Sequence, residues 1–153
     1  MNTIRAGMEA PDFTLQSDRG ESVTLSDLRG RPVVLYFYPR DDTPGCTVEA
    51  CEFRDVWDDV EKAGAVVLGV SPDDVPSHGR FRTKFQLPFP LLADPDHRVA
   101  ELYGVWGEKS MYGRKFFGIL RTTFVIDSNG RVLQVFERVK PKGHALRVLE
   151  VLR

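Results

Sequence analysis

The run Pro32-Val33-Val34-Leu35-Tyr36-Phe37-Tyr38-Pro39-Arg40-Asp41-Asp42-Thr43-Pro44-Gly45-Cys46 decides how this chain reads. Its first half is β-branched and aromatic and apolar on both faces. That pattern predicts a central buried strand over 32–38, stopped by Pro39. Residues 40–45 then form a polar loop punctuated by Pro and Gly. Cys46 opens a segment of helical period over 46–62, in which Val48, Cys51, Val56 and Val60 alternate with charges and Gly64 closes the helix. The loop therefore lies beyond the carboxyl end of a buried strand, where open α/β sheets place their ligands.

Working outward, residues 11–16 alternate Phe13 and Leu15 with polar neighbours and predict a short strand. Asp18-Arg19-Gly20 reads as a turn and 22–25 as a return strand, which makes an N-terminal β-hairpin. Residues 26–30 predict one capped helical turn. Downstream, 65–70 predicts a second buried strand. Asp73 or Asp74 caps a helix running to about Phe85, 89–93 a short strand, and Asp96 caps a helix over 97–103. Residues 122–126 and 131–136 predict strands joined by Asp127-Ser128-Asn129-Gly130, where Asn-Gly tolerates positive φ at both turn positions. Residues 143–152 close with an amphipathic helix that places Leu146, Leu149 and Leu152 on one face. Strands alternating with helices predict an α/β chain with a central mixed β-sheet flanked by helices, in one domain spanning 1–153.

Composition narrows the function. The chain has 153 residues, 42% hydrophobic and 28% charged, long enough to bury a core without disulfide staples or a structural metal. Twenty-one Lys and Arg stand against 22 Asp and Glu, a formal charge of −1 that offers no basic field for nucleic acid or anionic membrane. The first ten residues carry Glu9 and no apolar leader, no run is long enough to span a bilayer, and Val151-Leu152-Arg153 is no lipidation signal. These features predict a cytoplasmic protein. His78, His97 and His144 lack ligand spacing and read as surface or packing residues. Gly107-Glu108-Lys109-Ser110 lacks the glycine spacing of a phosphate loop.

The chemistry concentrates in the two cysteines, Cys46 and Cys51. In a reducing compartment a close pair is redox-active more often than structural. A thiol of pKa about 8.5 falls to roughly 3.5–7.5 at a helix N-terminus, where unpaired amides and the helix dipole favour a thiolate. Against this stands the ordinary fate of a free cysteine, which is burial without reaction. Five residues along a helix turn the side chains about 140° apart and set the Cα atoms about 8–9 Å apart, beyond the roughly 7 Å limit of a disulfide. Bonding would require the first turn or two to unwind. The spacing suits a cycle in which one cysteine reacts and a local opening lets the second reach it. Thr43 lies three residues before Cys46, with its hydroxyl able to bond the sulfur or a bound oxygen, or to cap the helix. Pro44-Gly45 fixes the loop and lets backbone approach the site.

Pro39-x-x-x-Thr43-x-x-Cys46 resembles the active-site signature of peroxiredoxins. Cys46-Thr47-Val48-Glu49-Ala50-Cys51 is similar to the bacterioferritin-comigratory, or Q-type, atypical 2-Cys group. Residues 103–109 resemble that group's middle segment, and Leu120-Arg121-Thr122-Thr123-Phe124-Val125-Ile126-Asp127 resembles the strand carrying the family's active-site arginine. The resemblance implies a thioredoxin-like fold and a peroxidase cycle without metal, haem or nucleotide cofactor. It implies Cys46 as the peroxidatic cysteine and Cys51 as the resolving one. Thr43 and Arg121 would orient the peroxide and stabilise the thiolate, with Pro39 shielding the site and Gly45 and Glu49 on the substrate side. Glu49 reads equally as a partner of Arg121, an aid to proton movement, or a solvated helix-face charge. The implied partners are hydrogen peroxide or organic hydroperoxides and thioredoxin or a similar dithiol, acting on a monomer or homodimer. A general thiol–disulfide oxidoreductase and a redox sensor or holdase would use the same cysteines. Trp106, Met111, Phe116 and Phe117 read either as an apolar approach for organic peroxides or as core packing.

Overall fold

A computed structural model describes residues 4–153 of the chain. Met1, Asn2 and Thr3, part of the stretch read as lacking an apolar leader, lie outside the described residues. The central strand is β3 (Val33–Phe37), and all five of its residues are buried. Its alternation feeds two cores. Val33, Leu35 and Phe37 join one cluster, and Val34 and Tyr36 join the other. A strand buried on both faces must lie mid-sheet, and it does.

The other strands are β1 (Thr14–Ser17), β2 (Ser22–Thr24), β4 (Val66–Ser71), β5 (Leu91–Ala93), β6 (Trp106–Met111), β7 (Arg114–Ile119), β8 (Thr122–Ile126) and β9 (Val132–Phe136). Seven of them form one mixed sheet in the order β2-β1-β5-β4-β3-β8-β9. β3 runs parallel to β4 and antiparallel to β8, and β1 and β2 make the expected N-terminal hairpin. The helices are α1 (Pro44–Asp55), α2 (Trp57–Lys62), α3 (Val75–Phe85), α4 (Arg98–Leu102) and α5 (His144–Leu152). Cys46, Ala50 and Phe53 of α1, Phe81 of α3 and Val148 of α5 pack on the Tyr36 face, while Val99 and Ala100 of α4 pack on the Phe37 face. No helix among the described residues is long and apolar enough to cross a membrane.

Several expectations are corrected. The helix expected over 46–62 starts two residues earlier, with Pro44 in its first turn, and breaks at Val56 (φ −105°, ψ 19°) into α1 and α2. Gly64 closes α2 as expected, at φ 69°. The turn at 26–30 is a 3₁₀ turn over Leu25–Leu28 without a side-chain cap. Asp74, not Asp73, caps α3, accepting from the Ser77 N–H at 2.9 Å. Asp94, not Asp96, serves α4, accepting from the Val99 and Ala100 amides. In the β8–β9 turn only Gly130 has positive φ. Of the expected face, Leu149 is buried but Leu146 is 58% exposed, and α5 also buries His144, Ala145 and Val148.

The largest addition is the two-stranded sheet β6–β7, paired from Trp106↔Ile119 to Met111↔Arg114 and separate from the main sheet. Its tip bears Tyr112, 96% exposed, with Met111, Phe116 and Phe117 also exposed. Those three side chains are therefore not core packing.

Candidate functional site

The β3–β8 register builds the site. Phe37 pairs with Thr122, so Arg121, one residue earlier in β8's antiparallel course, emerges just past the carboxyl end of β3. The same end of β3 feeds the loop 39–43 and the start of α1. Thr43 is the N-cap residue in extended conformation, and the Thr47 N–H is bonded to the Thr43 carbonyl at 2.8 Å. The amides of Gly45 and Cys46 precede that bond and belong to the unpaired donors of a helix start. Cys46 thus lies in the first turn of α1, buried, with those donors and the positive helix end beside its sulfur.

Arg121 unites the site. Its Nη2 donates to Cys46 Sγ at 3.3 Å and its Nη1 to Glu49 Oε1 at 2.7 Å. A guanidinium presents fixed, forked donors, so one side chain serves a cysteine sulfur and a carboxyl group one helical turn apart. Gly45 is the clearance for that fork. A Cβ at position 45 would meet Arg121 Nη2 at 3.2 Å and the Pro141 ring at 3.4 Å.

Glu49 is buried, which excludes the solvated-face reading. Burial pushes its carboxyl up to about 7, partly opposed by the Arg121 charge and hydrogen bond. Its Oε2 has no hydrogen-bond partner among the described residues and lies 4.0 Å from His144 Nε2, which is 2.8 Å from Thr123 Oγ1. Burial, with the Arg147 and Arg121 charges, holds His144 down at about 4. Its neutral ring therefore leaves the Glu49–Arg121 pair without a second cation.

Of the other sequence candidates, the Thr43 hydroxyl neither bonds Cys46 nor caps α1. It donates to the Arg40 carbonyl at 2.8 Å and bridges the loop's own ends. Pro39 is half-buried at the loop's start. Cys51 lies on the same unbroken helix as Cys46, and both thiols are free. Burial raises the Cys51 thiol, against the lowering charge of Arg54.

The structure adds residues with no signal in the sequence. Tyr36 is buried behind α1, its phenol without a hydrogen-bond partner among the described residues and raised well above its ordinary range by burial and by the charges of Glu49 and Cys46. Lys109 of β6 donates to the Ile119 carbonyl at 2.8 Å, and burial, then the Arg121 charge, lowers its ammonium. His78 and His144 are both buried and hydrogen-bonded, while His97 stacks on Trp106 at 3.8 Å. A buried thiol beside a helix start and a forked cation can attack an electrophilic atom and stabilise the negative charge that develops on its leaving group.

Residues 6–135 match the AhpC/TSA family. The chain is 53% identical to the bcp peroxiredoxin of Coxiella burnetii, over 96% of this chain and 97% of that one. It is 48% identical to peroxiredoxin Bcp of Bacillus subtilis, over 99% and 96%. Peroxiredoxin Q of Xanthomonas campestris has a solved structure that superposes with a TM-score of 0.90 at 42% identity, covering 96% of each chain. The likeness bears out the thioredoxin-like α/β fold.

Proposed function

The chain belongs to the AhpC/TSA family and is a peroxiredoxin of the Bcp and Q group, and on that premise we propose that it reduces hydrogen peroxide and organic hydroperoxides through Cys46, with Cys51 as its resolving thiol. The observation that carries this is the Arg121 fork, 3.3 Å from Cys46 Sγ and 2.7 Å from Glu49. The Cys46 thiolate attacks the terminal oxygen of the peroxide. The S–O bond forms as the O–O bond breaks, the peroxide's hydroxyl stays on sulfur as a sulfenic acid, and the departing alkoxide or hydroxide takes up a proton. Arg121 and the free amides of the first α1 turn stabilise the charge on the departing oxygen. Glu49 orients Arg121, Gly45 leaves it room, and Thr43 and Pro39 shape the mouth of the site.

The first turn of α1 then unwinds, and the Cys51 sulfur attacks the sulfenic sulfur, forming the disulfide and releasing water. A dithiol of the thioredoxin kind reduces that disulfide to two thiols and is itself oxidised. This reading places the cycle in a reducing cytoplasm, in a monomer or small homodimer. Reduction of alkyl peroxides is described for the bacterioferritin comigratory protein of Xanthomonas campestris, 41% identical to this chain, which supports the inclusion of organic substrates.

A steady-state assay with thioredoxin, hydrogen peroxide and an alkyl hydroperoxide tests the reading. Cys46→Ser abolishes peroxide consumption. Cys51→Ser forms a sulfenic acid with peroxide and then stalls. Thiol-dependent turnover by Cys46→Ser would remove the nucleophile, and normal cycling by Cys51→Ser would remove the resolver.

A further inference from the structure

The loop 39–43 has a second buried polar network on the side facing α3. Asp41 Oδ1 accepts from the Tyr38 hydroxyl at 2.6 Å. Asp41 Oδ2 accepts from Ser77 Oγ at 2.8 Å and faces His78 Nδ1 at 2.7 Å. His78 is fully buried on α3, and its Nε2 faces the Leu92 carbonyl of β5 at 2.9 Å. The Asp41 N–H donates to Asp73 Oδ2 at 2.7 Å, and that oxygen also accepts from Ser71 Oγ at the end of β4. The next residue, Asp42, holds a left-handed φ of 57° and receives Lys84 Nζ at 2.8 Å.

Asp41, Asp73 and His78 offer ligand atoms within 4.8 Å of one another, the spacing of a cation site. Yet Asp41 Oδ2, Asp73 Oδ2 and His78 Nδ1 are each engaged by a neighbour at 2.7–2.8 Å. The network is closed on itself, and what it holds is the loop. Fully satisfied buried polar networks are rigid, because breaking one bond strands a polar group in a low dielectric.

What the loop governs is the start of α1. Asp41 lies two residues before the N-cap Thr43 and five before Cys46. Beyond Asp41 the loop's only side-chain bonds among the described residues are the Asp42–Lys84 contact and the Thr43–Arg40 contact. The turn carrying Cys46 must be held for the Arg121 contact yet released for Cys51 to reach the sulfur. An anchor at Asp41 fixes one end of that turn and lies outside the part that has to open.

Resting on the peroxidase cycle above, we propose that Asp41 and His78 are positioning residues that hold loop 39–43 in the arrangement that reacts with peroxide, and that the strength of their contact sets how readily the first turn of α1 opens toward Cys51. They touch neither substrate nor sulfur and act through Thr43 and Pro44. The two chemical steps then respond in opposite directions. Weakening the anchor slows oxidation of Cys46, which needs the closed turn, and accelerates disulfide formation, which needs the open one.

Quenched-flow mass spectrometry of the full chain after mixing with hydrogen peroxide reads the two steps separately. His78→Ala slows Cys46 oxidation roughly tenfold, the scale of losing a hydrogen bond to a charged group. It also speeds disulfide formation and lowers the sulfinic acid formed at high peroxide. His78→Gln, which can still donate toward Asp41, returns both steps most of the way to wild type. Tyr38→Phe keeps the buried shape and removes one bond to Asp41. It shifts both steps in the same directions, about threefold, and it carries the test if His78→Ala does not fold. Unchanged rate constants in Tyr38→Phe and the His78 variants overturn the proposal. So does a parallel slowing of both steps, the mark of a merely destabilised fold. Failure of the cycle itself has a different signature, because wild type would then form no Cys46–Cys51 disulfide.

Discussion

Residues 44–50 of α1 meet the molecule through a polar contact and two small buried side chains, Cys46 and Ala50, whereas residues 51–55 meet it through an aromatic cluster. In the first half, Cys46 and Glu49 are both bonded to Arg121, and the N-cap contributes no side-chain bond. In the second half, Phe53 stacks on Tyr36 at 5.2 Å and stands edge-on to Phe89 and His144. Beside it, Glu52 accepts from the Gly143 amide at 2.8 Å, and Arg54 Nη1 donates to the Phe85 carbonyl at 2.8 Å. Opening the first half breaks one forked ion pair, whose separated charges water can solvate, and uncovers only the small Cys46 and Ala50 side chains. Opening the second half exposes an aromatic core for which water offers no compensation. The opening proposed for the cycle thus divides one helix into a part that leaves and a part that stays, and the division falls between the two cysteines.

Removing the anchor of the staying half has the largest effect. Phe53→Ala should lower global stability by about 3–5 kcal/mol, measured by denaturant unfolding. It should also raise amide exchange across residues 51–55 to match residues 44–50. Persisting protection at 51–55 would erase the distinction between the halves.

Arg121→Lys acts on the leaving half alone. A lysine offers one charge without the fork, so it cannot serve Cys46 and Glu49 together. Peroxidase kcat/KM should fall roughly 10²-fold. Exchange should rise at residues 44–50 with little change in Tm, and an equal rise at 51–55 would contradict the comparison.

Glu49 and His144 make the comparison sensitive to pH. The folded Glu49 carboxyl lies near 7, above the ordinary 4.5. Its burial therefore favours the fold most below pH 4.5, and that contribution is lost as pH rises through 7. The folded His144 lies near 4, below the ordinary 6.5. Its contribution is present above pH 6.5 and is lost as pH falls toward 4. Between about pH 4.5 and 6.5 the two slopes oppose each other, each at most about 1.4 kcal/mol per pH unit. Global stability should be nearly flat in that window. Glu49→Gln should make it rise with pH, and His144→Asn should make it fall. Parallel slopes for both variants would show that the two groups do not titrate with folding.

The smallest effect is expected from Glu52→Ala, which frees the Gly143 amide at the start of α5. It should cost about 1 kcal/mol and leave the rate of Cys46 oxidation unchanged. Slower oxidation would mean that the staying half also positions the sulfur.

What was legible in the sequence was local. The apolar run at β3, the loop after it and the helix carrying both cysteines follow from patterns spanning a dozen residues. Arg121 is 75 residues from Cys46, and only the family resemblance tied them together. Asp41 and His78 lie 37 residues apart and neither belongs to a motif, so nothing short of the fold brings them together. The β6–β7 hairpin escaped because Glu108, Lys109 and Ser110 blur its alternation. Its turn also uses Tyr112, at φ 53°, beside Gly113, and tyrosine is no turn signal. Leu146 was misplaced because helical spacing identifies a face without saying how far the neighbouring sheet extends over it. Glu49 could not be distinguished from a surface charge until burial and Arg121 were known.

The separation of Cys46 from Arg121 also orders events in time. During synthesis at about 5–20 residues per second, Arg121 is added roughly 4–15 s after Cys46. Until β8 pairs with β3, the cysteine has no guanidinium beside it. A growing or damaged chain that lacks β8 therefore carries a thiol without its partner cation. On the proposed cycle, the Cys46 sulfur gains its partner cation only when β8 pairs with β3, so reactivity toward peroxide would report that this pairing has formed.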